Sequence, residues 1–175
     1  MDTFDCITSK IEVRDFRSSN SNDISYDLRL KILESARLTG SALNSQPWRF
    51  ILVENKDNLK KLSEDSTSGK WVSGSTFAII ILTNPKYRFH LMDAGKVVQN
   101  MQLAAWNFAI GSGLYTGINE HKVKNDFNIP DDLNPTVIVG FGYPKNKIVG
   151  KKKKRLSIGE LVSYEVFGNT SINIK

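Results

Sequence analysis

Residues 41–50, SALNSQPWRF, concentrate the side chains best suited to binding a polar planar ligand. Their hydroxyl and amide groups can donate and accept hydrogen bonds, as the edge of a planar heterocycle and its polar tail require. The segment is a polar loop that runs into a short apolar stretch of strand length. We interpret it as a binding loop; the alternative is a polar turn that only leads into a strand.

Basic residues near both ends of the chain are the second group of candidates. Lys10 and Arg14 are four residues apart, which places them one helical turn apart or lets them converge at a helix end. Seven cations and no acid lie between positions 145 and 155. Without those seven, the net charge of +6 becomes −1. The basicity is therefore local, which argues against a nucleic-acid surface over the whole protein.

Side chains for direct acid–base or nucleophilic catalysis are sparse. The single cysteine, Cys6, excludes an internal disulfide framework and a cysteine-rich zinc site. Two histidines, His90 and His121, argue against a histidine-based metal site. Neither a GxGxxG fingerprint nor a P-loop occurs. We predict no catalytic side chain and no metal, so a bound cofactor would have to supply the chemistry while the protein binds and orients it.

Hydrophobic periodicity predicts helices and strands that are interspersed along the chain. Ser25 is the expected N-cap of a helix that ends at Arg37, and Ser157 that of a short final helix. The helices are predicted at 25–37, 57–64, 89–108, 119–127 and 158–166, and the strands at 49–53, 76–82, 113–118 and 135–141. This order predicts an α+β fold in which helices cover a sheet.

Length and composition fit one domain. The 175 residues are 40% hydrophobic, which is too apolar for a disordered chain. We therefore predict a single domain over residues 1–175, with a C-terminal arm from about 164 to 175. No apolar run approaches the ~18 residues of a membrane span, and the N-terminus lacks the apolar core of a secretory signal. With one cysteine in the chain, we expect a reducing, cytoplasmic setting and neither a membrane nor a nucleic-acid partner.

Five segments together resemble the FMN-dependent nitroreductase family. Residues 40–50 match its signature Pro-Ser-x-x-Asn-x-Gln-Pro-Trp-x-Phe at every fixed position except the first, where Gly40 replaces proline. Residues 10–16 resemble its Arg-Arg-Ser-x-Arg-x-Phe segment, and 92–112 its Asp-x-Gly-x-x-x-Gln-Asn helix. Residues 127–144 resemble its Ile-Pro to Gly-Tyr-Pro stretch, and 153–155 its Lys-x-Arg pair. The resemblance spans nearly the whole chain in order.

The resemblance implies a fold and an activity. The fold is a nitroreductase-like α/β/α sandwich, with a mainly antiparallel sheet flanked by helices. The assembly is a homodimer with two flavin sites at the subunit interface. The activity is transfer of a hydride from NADH or NADPH through flavin N5 to a nitroaromatic, quinone or similar small acceptor, by a ping-pong scheme.

The resemblance also implies which residues bind FMN. Lys10, Lys153 and Arg155 take the positions that clamp the phosphate, which suits convergent cations. Arg14 takes the position near flavin N1 and the C2 carbonyl, where a cation stabilises the reduced anionic flavin. Ser41, Ala42 and Asn44 take the positions of a loop that contacts the flavin from the neighbouring subunit. Lys70 takes a position near the pyrimidine edge of the flavin. Thr116 and Gly117 fall where a backbone N–H is directed toward flavin N5.

Several positions depart from the family pattern. Ile11 and Glu12 stand where Arg and Ser are common. A carboxylate beside a phosphate weakens binding unless it points away or pairs with a cation. Ala109 replaces a usual glycine, and only six residues separate Leu82 from Phe89, too few for the helical excursion that covers the substrate in many relatives.

These departures leave two alternatives open. One is a flavin-free or weakly flavin-binding family member that acts as an anion- or partner-binding module through its lysine run. The other is a nucleic-acid binder with a basic tail, which has only that run, without interleaved aromatic residues, in its favour.

Overall fold

The computed structural model describes residues 1–18, 24–146 and 154–169. Within these ranges it has six α-helices and four strands. The helices are α1 (Thr3–Ser9), α2 (Tyr26–Arg37), α3 (Lys56–Glu64), α4 (His90–Asn107), α5 (Glu120–Asp126) and α6 (Ile158–Leu161). The strands are β1 (Trp48–Val53), β2 (Phe77–Thr83), β3 (Gly111–Tyr115) and β4 (Asn134–Gly142). None of the described helices combines the length and the hydropathy that crossing a membrane requires.

The strands form one antiparallel sheet in the order β1-β2-β4-β3. In the centre of the sheet Ile80 lies opposite Ile51 on one side and Ile138 on the other. Every residue of β2 is buried, because helices cover both faces of the sheet. This burial explains why residues 76–82 appear in the sequence as a continuous apolar run rather than an alternating one.

Two separate apolar cores hold the layers together. On one face α2 and α4 pack on the sheet through residues such as Ile32 and Met101. On the other face α3 and α5 pack through Leu59, Leu62 and Val123. The result is a helix–sheet–helix sandwich, so the predicted α+β arrangement is confirmed.

Local capping determines where most helices begin. The Ser25 side chain accepts a hydrogen bond from the backbone N–H of Leu28, as predicted for the first residue before α2. Ser157 and Glu160 form a reciprocal capping box at α6. That helix nevertheless ends at Leu161, so the prediction to residue 166 is wrong. All four of its residues are exposed, and a short helix without a packed face does not propagate.

The predicted strand at 113–118 is displaced toward the N-terminus. β3 begins at Gly111, which pairs with Gly142, and it ends at Tyr115. Beyond Tyr115 the chain leaves β4, and Ile118 makes an isolated bridge with Ser66 instead. The sequence shows the apolar character of this stretch, but its pairing partner is set by the tertiary structure.

Helix α4 ends in a left-handed residue that is not glycine. Ala109 has φ +58°. The N–H of Ile110 donates to the carbonyl of Ala105 at 3.0 Å, and that of Ala109 to Trp106 at 2.9 Å. These two hydrogen bonds form the Schellman motif, in which the left-handed position favours glycine because a Cβ crowds the backbone.

We expect Ala109→Gly to raise the free energy of unfolding by about 1 kcal/mol, since it removes that crowding. Chemical denaturation measures the change. As a control, Ala104→Gly inside the same helix should lower the free energy of unfolding by about 1 kcal/mol. Two changes of the same sign would contradict the strain at residue 109.

Candidate functional site

The N-terminal basic segment is extended, not helical. Helix α1 ends at Ser9, and Lys10 is its C-cap with φ −58° and ψ 130°. Glu12 bridges to Ser112 of β3, and the N–H of Val13 donates to the carbonyl of Ser112 at 2.9 Å. The alternative that Lys10 and Arg14 lie one helical turn apart is therefore wrong. The segment with Lys10, Glu12 and Arg14 runs in extended form along the edge of β3 that does not pair with β4.

A hydrogen-bonded network joins Lys10 to Glu12 and Gln102. The Lys10 ammonium donates to Oε1 of Glu12, and at 2.9 Å to Oε1 of Gln102. The Gln102 amide donates to Oε1 of Glu12 at 3.2 Å, and the N–H of Leu114 donates to Oε2 of Glu12 at 3.3 Å. Gln102 is a buried residue of α4. Glu12 thus pairs with a neighbouring cation, and this pairing takes up one N–H donor of the Lys10 ammonium.

Residues from near both ends of the chain line a cavity of about 330 Å³. Lys10, Glu12 and Arg155 line it, with Ile7, Ile11 and Gln99. Two cations from distant positions in the sequence therefore share one cavity, and this donor set fits a phosphate group. The third predicted phosphate ligand, Lys153, lies outside the described residues.

Arg14 is held against an aromatic pair at the edge of β3. Its guanidinium carbon lies 5.8 Å from the ring centroid of Trp71, which packs edge-on against Tyr115 at 5.8 Å. A Cβ at Gly113 would lie 2.5 Å from the carbonyl oxygen of Val13. Gly113 is therefore needed for the segment before Arg14 to run this close to β3.

Lys70, Thr116 and Gly117 lie next to this aromatic pair in the sequence, and their two segments touch. The N–H of Thr67 donates to the carbonyl of Gly117 at 2.9 Å. A Cβ at Gly117 would lie 2.3 Å from Oγ1 of Thr67, so a larger residue there would force the Thr67 side chain to shift. The Lys70 ammonium donates to the carbonyl of Glu64 at 3.3 Å, at the end of α3. In this structure it is directed toward α3.

Two buried ionisable groups lie beneath this region. The Tyr115 hydroxyl donates to the carbonyl of Leu62 at 3.2 Å, and burial raises the pKa of Tyr115 far above its usual value. Burial, together with neighbouring Asp126, raises the pKa of Asp65, against the opposing effect of Lys122. Tyr115 therefore stays a neutral hydrogen-bond donor that ties β3 to α3.

The loop with Ser41, Ala42 and Asn44 is attached to the other end of α4. The N–H of Ala42 donates to Oδ2 of Asp93 at 3.1 Å, and Asp93 is buried. The Ser41 hydroxyl accepts a hydrogen bond from the N–H of Gln46 at 2.9 Å. Leu43 and Asn44 have φ values of 53° and 52°, which turns the chain tightly and leaves the Leu43 side chain fully exposed.

Within one chain, the loop with Ser41 and Asn44 lies away from Lys10. Asp93 anchors the loop, and Gln102 contacts Lys10. These two positions on α4 are roughly 14 Å apart along the helix axis at 1.5 Å per residue. The predicted site residues therefore form two groups: Lys10, Arg14, Lys70, Thr116, Gly117 and Arg155 around β3, and Ser41, Ala42 and Asn44 near the start of α4.

Gln102 and Asp93 contact the predicted site residues, but sequence reasoning assigned neither of them a role in the site. Both are polar residues on the largely apolar buried face of α4. Because buried polar groups are hydrogen-bonded, their presence on that face signals a partner. The structure identifies those partners as Glu12 and Lys10 for Gln102, and as the Ala42 N–H and the Lys96 ammonium for Asp93.

Comparisons with known proteins relate this chain to one family. A profile described as the Nitroreductase family matches residues 13–74 and 68–143. A protein of Archaeoglobus fulgidus, provisionally named NADH dehydrogenase/NAD(P)H nitroreductase, is 32% identical over an alignment 152 positions long, which covers 82% of this chain and 87% of that protein. A protein of Methanothermobacter thermautotrophicus with the same provisional name is 28% identical over an alignment 153 positions long, which covers 82% of this chain and 78% of that protein.

A solved structure has the same fold. The FMN-dependent nitroreductase of Clostridium difficile R20291 superposes with a TM-score of 0.85 at 20% identity, over 94% of this chain and 99% of that chain. At that identity the likeness concerns the fold. It confirms the predicted α/β/α sandwich with a mainly antiparallel sheet.

Proposed function

Because the chain belongs to the nitroreductase family, we propose that it is a homodimeric FMN enzyme that reduces nitroaromatics, quinones or similar small acceptors. It is an NAD(P)H-dependent oxidoreductase, as the names of its relatives support. The observation that carries the FMN assignment is the cavity shared by Lys10 and Arg155.

The residues around β3 bind different parts of the cofactor. Lys10 and Arg155 hold the phosphate, since ammonium and guanidinium donors suit its oxygens. Arg14 supplies a positive charge near the flavin pyrimidine, where negative charge develops on reduction. Lys70, Thr116 and Gly117 complete this edge of the site. The chemistry that FMN supplies when bound is hydride transfer at N5, from NADH or NADPH and then to the acceptor, in two separate half-reactions.

A second copy of the chain completes the site. Ser41, Ala42 and Asn44 lie far along α4 from Lys10, so they serve the flavin of the partner protomer. Large exposed apolar side chains support association, because contiguous apolar surface marks interfaces. They occur at the start of α4 and in the C-terminal segment, and include Phe89, Leu91, Met92, Leu156, Ile158, Leu161, Val166 and Phe167.

A flavin-free or weakly binding family member is the second candidate. Glu12 favours it, because a carboxylate lines the cavity assigned to the phosphate. The anion-binding role would then depend on the basic residues near Arg155. With its single cysteine, the protein suits the reducing cytoplasm under either proposal.

The absorption spectrum of the purified protein separates these candidates. We expect a flavin spectrum, release of FMN on denaturation, and bleaching by NADH or NADPH without oxygen. A colourless protein that takes up no added FMN would favour the second candidate. Light scattering should give the mass of a dimer; a monomer that still binds flavin contradicts the shared site.

A further inference from the structure

We infer that Glu12 limits how strongly the cavity binds a phosphate, so that the protein discriminates only weakly between FMN and riboflavin. This inference rests on the proposed function, because it concerns the cavity to which the FMN phosphate is assigned. It adds a specificity-determining residue, and the contacts of Glu12 carry the argument.

Glu12 occupies one of the donors that a phosphate would use, and Gln102 occupies another. An ammonium has three N–H donors, and Lys10 directs one to Glu12 and one to Gln102. The side chain of Lys10 is only 12% exposed, whereas that of Glu12 is 41% exposed. An anion that enters the cavity therefore meets the carboxylate more readily than the ammonium behind it.

The carboxylate is fixed in this position. Besides Lys10, it accepts hydrogen bonds from the Gln102 amide and from the N–H of Leu114 on β3. Moving it away would leave the buried Gln102 amide without this acceptor, and an unsatisfied buried donor costs about 1–3 kcal/mol. A phosphate therefore does not simply displace Glu12.

The net charge of the described lining residues also indicates weak phosphate binding. Among its described lining residues, Lys10 and Arg155 are cations and Glu12 is an anion, which leaves one net positive charge. A phosphate monoester carries about −1.5 to −2 at pH 7. Arg155 is exposed, and besides its bond to the carbonyl of Lys154 at 3.0 Å its planar fork offers further donors. Arg155 is thus the principal described anchor for a phosphate.

Removing the charge of Glu12 should strengthen FMN binding selectively. We expect Glu12→Gln to lower the Kd for FMN about tenfold, or about 1.4 kcal/mol, and to leave the Kd for riboflavin within about twofold, since riboflavin lacks the phosphate. Quenching of flavin fluorescence by the full-length apoprotein measures both constants. The gain for FMN should shrink in about 0.5 M salt. Glu34→Gln removes the same charge from an exposed pair with Arg37 on α2 and should change neither constant.

Glu12→Ser provides a second variant in case Glu12→Gln folds poorly, which circular dichroism would reveal. If flavins bind and both variants keep the parent ratio of the two Kd values, the inference is wrong and the proposed function stands. If neither flavin binds the parent or the variants, the proposed function fails and the inference fails with it.

Discussion

Arg155→Ala should raise the Kd for FMN about 30-fold, which corresponds to about 2 kcal/mol. A charge-assisted hydrogen bond contributes about 1.5–3 kcal/mol, and Arg155 is the more accessible of the two described cations in the cavity. Because its side chain is exposed and bonds locally to the carbonyl of Lys154, its loss should leave the free energy of unfolding unchanged. Titration of the apoprotein with FMN, combined with denaturant unfolding, measures both quantities.

Lys154→Ala is the matched control for this experiment. Lys154 is adjacent and exposed, so the control removes the same charge from the same segment. We expect its Kd for FMN to stay within about threefold of the parent value, because a solvated charge acts weakly at a distance. Equal losses in the two variants would show a general electrostatic effect and would remove Arg155 from the phosphate site.

Gly113→Ala should have the largest effect on stability, a loss of about 2–3 kcal/mol, since overpacking a close contact has costs of this order. The new Cβ would lie 2.5 Å from the carbonyl oxygen of Val13. That backbone cannot yield easily, because the N–H of Val13 is bonded to β3 through the carbonyl of Ser112. For a chain of this size the melting temperature should fall by about 4–12 °C.

The same substitution should also weaken FMN binding, because displacing Val13 moves Arg14 away from Trp71. Gly74→Ala is the control: a Cβ there has nothing within 4 Å, so its melting temperature should stay within about 2 °C of the parent value. Thermal unfolding followed by circular dichroism, and FMN titration at a temperature where both variants are folded, provide the measurements. If Gly113→Ala melts like Gly74→Ala, the close approach of the N-terminal segment to β3 is wrong.

The three site variants have different signatures, which makes the proposals separable. Arg155→Ala changes flavin binding alone, and Gly113→Ala changes both binding and stability. Glu12→Gln acts in the opposite direction on FMN and leaves riboflavin unchanged. A uniform response of all three would indicate that the cavity around β3 is not where the phosphate binds.

Much of the fold follows from local patterns in the sequence. Ser25 caps α2 and Ser157 caps α6 because a side-chain oxygen satisfies a free N–H at a helix start, whatever the rest of the chain does. The apolar run at 76–82 is long enough to become the buried strand β2, and the periodic stretch from 89 to 108 becomes α4. The resemblance of residues 40–50 to the nitroreductase family is likewise visible from the sequence alone.

The arrangement of the candidate site was decided by tertiary contacts. The spacing of Lys10 and Arg14 is compatible with a helix, yet bonding to Ser112 makes the segment extended. Glu12 and Gln102 are 90 positions apart, and Arg155 follows more than 50 residues later, so no local pattern could place them around one cavity. Capping and periodicity depend on neighbours in sequence, whereas the charge that a phosphate meets depends on which side chains packing brings together.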